Sequence, residues 1–381
     1  MSAKTIYLDY AAATPMDDAV FQVMKPYFAD KFYNPSANYL AAKAVKDEIT
    51  EAEKIIAAEL GVKHSEIIHT SGGTESNNLA IRGVMDLFPD KKMLVSSVEH
   101  DSVLKPASEY KTELIPADQT GMVNIERLEK MIDADTVLIS VMLANNEVGT
   151  IQPIAKIAEL VSCIRKDRQK NKLNLPLYLH TDACQAPCYI DVKANRLGAD
   201  MMTLNSGKIY GSKGSGILFL KSNIALTPQI LGGGQQRRLR SGTENPAGII
   251  GFAKALQISA ENRIGEYERV SQLRQRFIDG LQKMNPKIKI NENSKKHMPH
   301  IVHATFVGQD NETLVYKLDE AGIMAASGSA CSASSDEPSH VLAAMGISDE
   351  DARSSLRFSF GRQTSTKDID HTLGCLSALL A

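Results

Sequence analysis

The 381 residues suffice for one large core plus a smaller domain, and 43% apolar with 23% charged content is that of a globular protein. With 43 basic against 45 acidic residues the net charge is −2, so no global field draws the chain to nucleic acid or to a membrane surface. No apolar run approaches the roughly 18 residues of a bilayer span, and the N-terminal MSAKTIYLDY lacks a signal-peptide core, which makes cytoplasmic the expected location.

In chain order, a helix is expected from about Ala37 to Leu60, with apolar residues at Leu40, Ala44, Ile49, Ala52 and Ile56 and a stop at Gly61. Strands are expected at Glu66–His69, Met93–Val98, Val137–Leu143, Leu177–Thr181, Met201–Leu204 and Gly216–Leu220, mostly with helical stretches between them. One of those stretches runs from Asn77 to Leu87, and a long helical region follows Asn245 to about Met284. Shorter strands near Lys287–Ile290, Ile301–Phe306 and Leu356–Phe360 then change the rhythm. The alternation predicts an α/β fold with a mainly parallel sheet. A large domain is expected over residues 13–260, with a smaller α+β domain from 1–12 and 261–381.

Ligands of open α/β sheets bind beyond the carboxyl ends of the strands, so those ends are read as a set. Thr70-Ser71-Gly72-Gly73-Thr74 before a helix is a phosphate cup: glycines admit an anion, the helix start offers free N–H groups, and Thr74 adds a hydroxyl. Its spacing is not that of a Walker loop. Another strand ends at Glu99-His100, an imidazole suited to ring stacking or proton transfer, and another at Asn145-Asn146. Asp182, with Gln185 a turn later, and Lys208 close two more. A lysine and an aspartate at separate strand ends are the pair a pyridoxal phosphate (PLP) enzyme needs. The lysine holds the cofactor and the carboxylate keeps the ring nitrogen protonated. Lys213 is a rival for the lysine's role.

Five cysteines, odd in number and scattered, point to a reducing compartment without a disulfide framework. Cys184 and Cys188 lack a second Cys or His pair to complete a metal site. Cys331, in a run of Ser, Ala and Gly, reads as a reactive thiol on an exposed loop, whereas Cys163, Cys184, Cys188 and Cys375 read as core filler. Arg357, on a strand, suits a bidentate clamp for an amino-acid carboxylate.

With YLDYAAATP (Tyr7–Pro15), TSGGTESNNLAI (Thr70–Ile81), NNEVG (Asn145–Gly149), TDACQ (Thr181–Gln185), KIYGSKGSG (Lys208–Gly216), RSGTEN (Arg240–Asn245), SGSACSASSDEPSHVL (Ser327–Leu342) and LRFSFGR (Leu356–Arg362), the chain resembles the cysteine desulfurase family over essentially its whole length. These are PLP-dependent enzymes of fold type I in the class V aminotransferase group. The Cys331 segment looks like the long-loop group that supplies sulfur for iron–sulfur clusters. The resemblance implies that Lys208 carries pyridoxal 5'-phosphate, Asp182 meets the ring nitrogen, Gln185 the ring oxygen, and His100 stacks on the ring and moves protons. It also implies phosphate contacts from Gly73, Thr74 and the Asn205-Ser206-Gly207 turn, with Thr243 reaching in from the partner subunit of a homodimer. Asn145 and Arg357 would orient L-cysteine, and Cys331 would take its sulfur as a persulfide, releasing L-alanine. A sulfur-acceptor protein, serving iron–sulfur or tRNA-thiolation chemistry, is the implied partner.

Two departures stand out. Asn205-Ser206-Gly207 replaces the family's Ser-Gly-His, which predicts weakened or rearranged phosphate binding, and the chain stops at Ala381, where many relatives carry a scaffold-docking extension. The alternatives are a selenocysteine lyase or related PLP lyase, and a non-catalytic dimeric scaffold of the same fold.

Overall fold

The computed structural model describes residues 5–292, 295–328 and 338–380. Among the described residues twelve strands run in chain order: β1 (Ile6–Tyr7), β2 (Ile67–Thr70), β3 (Lys92–Ser96), β4 (Lys111–Ile115), β5 (Thr136–Ser140), β6 (Tyr178–Asp182), β7 (Met201–Asn205), β8 (Gly216–Leu220), β9 (Lys289–Ile290), β10 (Ile301–Thr305), β11 (Ile323–Met324) and β12 (Ser355–Ser359). Seven form the central sheet in the order β2-β8-β7-β6-β5-β3-β4, parallel except for β8, which lies antiparallel between β2 and β7.

Both faces of this sheet are covered, and the strand residues alternate between the two cores. Ile67, Leu94, Ile139, Met202 and Phe219 pack on one side, where the helices Leu40–Leu60 and Pro246–Met284 lie. Ile68, Met93, Val95, Met201 and Leu218 pack on the other, against the Gly73–Met85 helix. The period of two that turns every second side chain over is why these strands read as continuous apolar runs. β4, an edge strand, went unpredicted because it carries no apolar run. Lys111, Glu113 and Leu114 are exposed, a polar pattern that guards an unpaired strand.

The Leu40–Leu60 helix ends as expected at Gly61, whose left-handed φ of 66° returns its N–H to the carbonyls of Ala57 and Ala58. It begins at Leu40 rather than Ala37. The helix after the phosphate cup starts at Gly73, four residues before the expected Asn77. That difference puts Gly73 and Thr74 in the helix's first turn, where N–H groups have no intrahelical partner. The 39-residue helix Pro246–Met284 runs unbroken through position 260. Beyond it, β9, β10 and β12 form a small antiparallel sheet, and β1 pairs with β11, tying the first residues to the C-terminal part.

Two of the four cysteines expected in the core are not there: Cys163 is exposed and Cys375 half-buried, whereas Cys184 and Cys188 are buried. Cys163 sits on a helix of low apolar content, and sequence neighbours alone did not reveal which face it takes.

His303 on β10 and His300 in the turn just before it are buried, and burial followed by the Arg357 charge depresses each to about 3. A histidine whose folded value lies below its unfolded one leaves the unfolded state holding more protons in between. Its stabilisation is therefore complete above about pH 6.5 and shrinks as pH falls toward 3. At pH 5 each contributes a loss of about 2 kcal/mol relative to neutral pH. The thermal midpoint should accordingly fall between pH 7 and 5, and His303→Asn should flatten that slope. An unchanged slope would show that His303 titrates normally.

Candidate active site

Lys208 follows β7, and its local backbone is strongly constrained. Tyr210, two residues on, holds a left-handed φ of 63°, a conformation that non-glycine residues keep only when surrounding contacts enforce it. Those contacts are present. The Tyr210 N–H donates to Thr14 Oγ1 (2.8 Å), its carbonyl accepts from the Asp17 N–H (2.9 Å), and the Arg362 guanidinium lies 4.0 Å from its ring centroid. Arg362, paired with Asp17 at 2.9 Å, thus supports the lysine turn and does not line the cavity.

The turn aims Lys208 into a cavity of about 210 Å³ at the carboxyl edge of the sheet. There Nζ donates to the carbonyls of Ala11 (3.0 Å) and Ala12 (2.6 Å). Burial pulls the lysine below its ordinary value, which increases its share of neutral, nucleophilic amine. Lys213 turns away to the Thr14 carbonyl (2.7 Å), so geometry favours Lys208.

The strand ends deliver the other groups. Asp182, the last residue of β6, accepts from Asn77 Nδ2 at Oδ2 (2.7 Å) and from the Cys184 N–H at Oδ1 (2.9 Å). Asn77 also donates to Ser102 Oγ (2.8 Å), and that hydroxyl lies 2.8 Å from His100 Nδ1. A chain of hydrogen-bonding groups therefore joins carboxylate and imidazole. His100 caps the Asp101–Ala107 helix by accepting the Ser102 N–H at Nδ1 (3.0 Å). The bond assigns the neutral ring's proton to Nε2, and burial lowers the histidine's proton affinity. Gln185 lines the same cavity and donates from Nε2 to the Ala11 carbonyl (2.9 Å). Gly73 and Thr74, in the first turn of their helix, line it as well.

Arg357 enters from β12, 1% exposed. Of the five guanidinium N–H groups, one donates to Asp9 Oδ1 (2.6 Å) and one to the Asn146 carbonyl (2.9 Å), while Nε is buried without a partner. That leaves donors for a substrate carboxylate.

Three expected contact residues do not reach the cavity. Asn145 is wholly buried and holds its own turn: Oδ1 accepts the N–H groups of Glu147 (2.8 Å) and Val148 (2.9 Å), and Nδ2 donates to the Val98 carbonyl (2.9 Å). Its neighbour Asn146 lines the cavity instead. Ser206 and Gly207 also lie outside the lining. Ser206 Oγ faces the Gly211 turn, and the Gly207 carbonyl is taken by Thr14. Only Asn205 of that tripeptide reaches the cavity, its Oδ1 accepting the Gly207 N–H (3.0 Å). Thr243 is exposed and borders a separate depression beside Thr70 and Ser71. Cys331 lies outside the described residues.

The described residues on either side of it bond to cavity-lining Arg357 and to sequence neighbours of Asn146 and His100. Ala326 pairs with Arg357 through two backbone bonds (2.7 and 3.1 Å), and Ser339 Oγ donates to Glu147 Oε2 (2.6 Å). His340 Nε2 meets the Glu99 carbonyl at 2.8 Å. Asn77 and Ser102 were not assigned from sequence, Asn146 was read only as one of a pair of amides with Asn145, and Cys184 was read as core filler although it lines the cavity. The first two stand a helical turn or less from Gly73 and His100, the one signal that could have found them.

The donor set fits PLP. A buried amine, a fixed carboxylate, an imidazole and the N-terminal turn of a helix converge on one cavity that Arg357 also lines, its Nε buried without a partner.

The chain matches the family model for aminotransferase class-V over residues 6–372. It is 38% identical to the cysteine desulfurase IscS of Dictyoglomus turgidum, over 99% of this chain and 95% of that protein. Among solved structures, a NifS-like protein shares 31% identity with a TM-score of 0.90 over 99% of both chains. Another, described as SspA in complex with cysteine, shares 33% identity with a TM-score of 0.80, over 93% of this chain and 99% of that one. The chain belongs to the class-V aminotransferase family and, within it, to the PLP-dependent cysteine desulfurases.

Proposed function

We propose that this protein removes sulfur from L-cysteine, keeps it as a persulfide on Cys331, and passes it to an acceptor protein while L-alanine departs. The observation that carries this reading is the convergence of Lys208, Asp182, His100 and Arg357 on one cavity, with the segment before Cys331 paired to the Arg357 backbone and the segment after it bonded to Glu147, next in sequence to the lining residue Asn146. The binding of cysteine named for the SspA relative supports the substrate.

When bound, PLP supplies an aldehyde for amine capture and a protonated ring that draws electrons from the substrate carbon. Gly73, Thr74 and Asn205 would hold its phosphate, Asp182 its ring nitrogen and Gln185 its ring oxygen. Arg357 orients the substrate carboxylate through its remaining donors. Lys208 is the base positioned to carry the α-proton, and His100, its neutral proton on Nε2, is placed to donate. The Cys331 thiolate attacks the substrate sulfur. A sulfur–sulfur bond forms, the carbon–sulfur bond breaks, and a returned proton completes alanine.

The working unit is a homodimer in which Thr243 completes the partner's phosphate cup. Its exposure supports this, as does the exposed aromatic group where Phe32 stacks on Tyr33 (4.7 Å) and Tyr33 meets Tyr39 (6.0 Å). Among the described residues no helix is long and apolar enough to cross a membrane.

The test is protein incubated with PLP and L-cysteine, then assayed for alanine and protein-bound sulfane sulfur. Cys331→Ala should lose both while still binding PLP. Alanine formation by Cys331→Ala at the wild-type rate would assign the sulfur to another acceptor.

A further inference from the structure

Cys184 follows β6 by two residues. Its N–H is drawn back onto Asp182, and its side chain lines the cavity. The sulfur lies 3.0 Å from where a Cβ on Gly73 would stand, with Asn205 Nδ2 at 3.6 Å and Asn205 Cβ at 3.7 Å from the same point. Three separate elements meet there: the first residue of the Gly73–Met85 helix, the turn after β6 and the end of β7. A thiol fills the junction.

Gly73 has no conformational reason to be glycine. It opens a regular helix and is absent from the positive-φ residues, unlike Gly72 at 151°. Within the chain the nearest obstacle to a side chain at position 73 is the sulfur, since 3.0 Å is well inside the ~3.5–4.0 Å at which heavy atoms rest. Burial and then the Asp182 charge hold the thiol well above its ordinary value, so it acts by its volume and not as a thiolate.

The geometry points to Cys184 as a cofactor-positioning residue that forms a coupled pair with Gly73. Its sulfur sets the distance between the phosphate-binding turn and Asn205, and the glycine is the complement that makes room for it. This rests on the PLP reading of the cavity and adds a residue to it. It also gives the altered Asn205-Ser206-Gly207 turn neighbours, because Gly73 and Cys184 meet where Asn205 enters the cavity.

The test is a double-mutant cycle on apoprotein, reading PLP dissociation constants and apoprotein thermal midpoints. The chain has no tryptophan, so binding is followed by the absorbance of the cofactor itself. Gly73→Ala alone should weaken PLP binding about ten-fold or more, whereas Cys184→Ala should cost about three-fold or less. The double variant should return to within about three-fold of Cys184→Ala, a recovery only coupled sites give. Cys184→Ser, nearly the same size, should leave Gly73→Ala as damaging as before. Should Gly73→Ala fail to fold, recovery of folded, PLP-binding protein in the double variant supports the pairing, and failure of both overturns it. Effects that simply add, or wild-type affinity in Gly73→Ala, also overturn it. Absence of PLP uptake by the wild type would instead overturn the cofactor reading beneath it.

Discussion

Lys208→Ala should leave a folded protein that no longer holds PLP covalently and whose turnover falls by roughly 10³-fold or more, because one side chain serves as both anchor and proton carrier. Fold loss is not expected, since the lysine's two contacts are to the Ala11 and Ala12 carbonyls and Gln185 still serves the first. Only the neutral amine attacks an aldehyde, and burial lowers the Lys208 proton affinity. The rate of PLP uptake by wild-type apoprotein should therefore rise with pH and level off below the ordinary lysine value of about 10.4. Borohydride reduction followed by peptide mapping should place the cofactor on Lys208 and leave it there in Lys213→Ala. A label on Lys213 would reverse the assignment made from their opposite directions.

Asp182→Asn carries the second large effect. The carboxylate accepts at both oxygens, from Asn77 and from the Cys184 N–H, so its orientation is fixed before any ligand arrives. An amide can accept at only one of them and must oppose a donor with a donor at the other, a mismatch of about 1–3 kcal/mol. The larger consequence is chemical, because the charge that would keep the ring nitrogen protonated is gone. PLP should still attach through Lys208 while kcat falls about 10²- to 10³-fold, the scale of a lost preorganised electrostatic contact. Measuring kcat beside the PLP content of the purified variant separates the two effects. A kcat within about three-fold of wild type would remove Asp182 from its role. Asn77→Ala, which frees one carboxylate oxygen and interrupts the link to Ser102 and His100, should show a weaker form of the same defect.

Much of this site was legible because its parts stand at the ends of apolar strands. β2, β3, β6 and β7 announce themselves by continuous burial, and the residue following such a run is aimed at the ligand edge by topology alone. Lys208, Asp182, His100 and the Gly73-Thr74 turn were found that way. Arg357, from a strand of the small sheet, was read as a carboxylate clamp and does line the cavity, yet sequence gave no sign that Asp9 already holds part of its guanidinium. What failed was any choice between adjacent residues. Asn145 and Asn146 are the same residue type, and only the turn's three-dimensional closure decides that the first caps the loop while the second meets the cavity. Ser206 and Gly207 fail for the same reason, since a tight turn after β7 rotates them away from a cavity that Asn205 still reaches. β4 hid because Lys111, Glu113 and Leu114 are exposed and leave no apolar run to read.

Hydrogen bonds between distant segments were the other blind spot. Asn77 to Asp182 spans 105 residues of sequence, and Glu147 to Ser339 spans 192. No periodicity encodes either. Both bear on function: the first fixes the carboxylate, and the second ties the segment after Cys331 to a loop beside the cavity.

The most direct test is the visible absorption spectrum of the purified, PLP-loaded protein before and after L-cysteine is added, with alanine and enzyme-bound sulfur counted in the same sample. The predicted result is a cofactor band that changes on mixing and one alanine formed per sulfur taken up by Cys331 in the first turnover. A band that responds to other amino acids but yields no alanine from cysteine would contradict the desulfurase assignment, and no band at all would contradict the cofactor site itself.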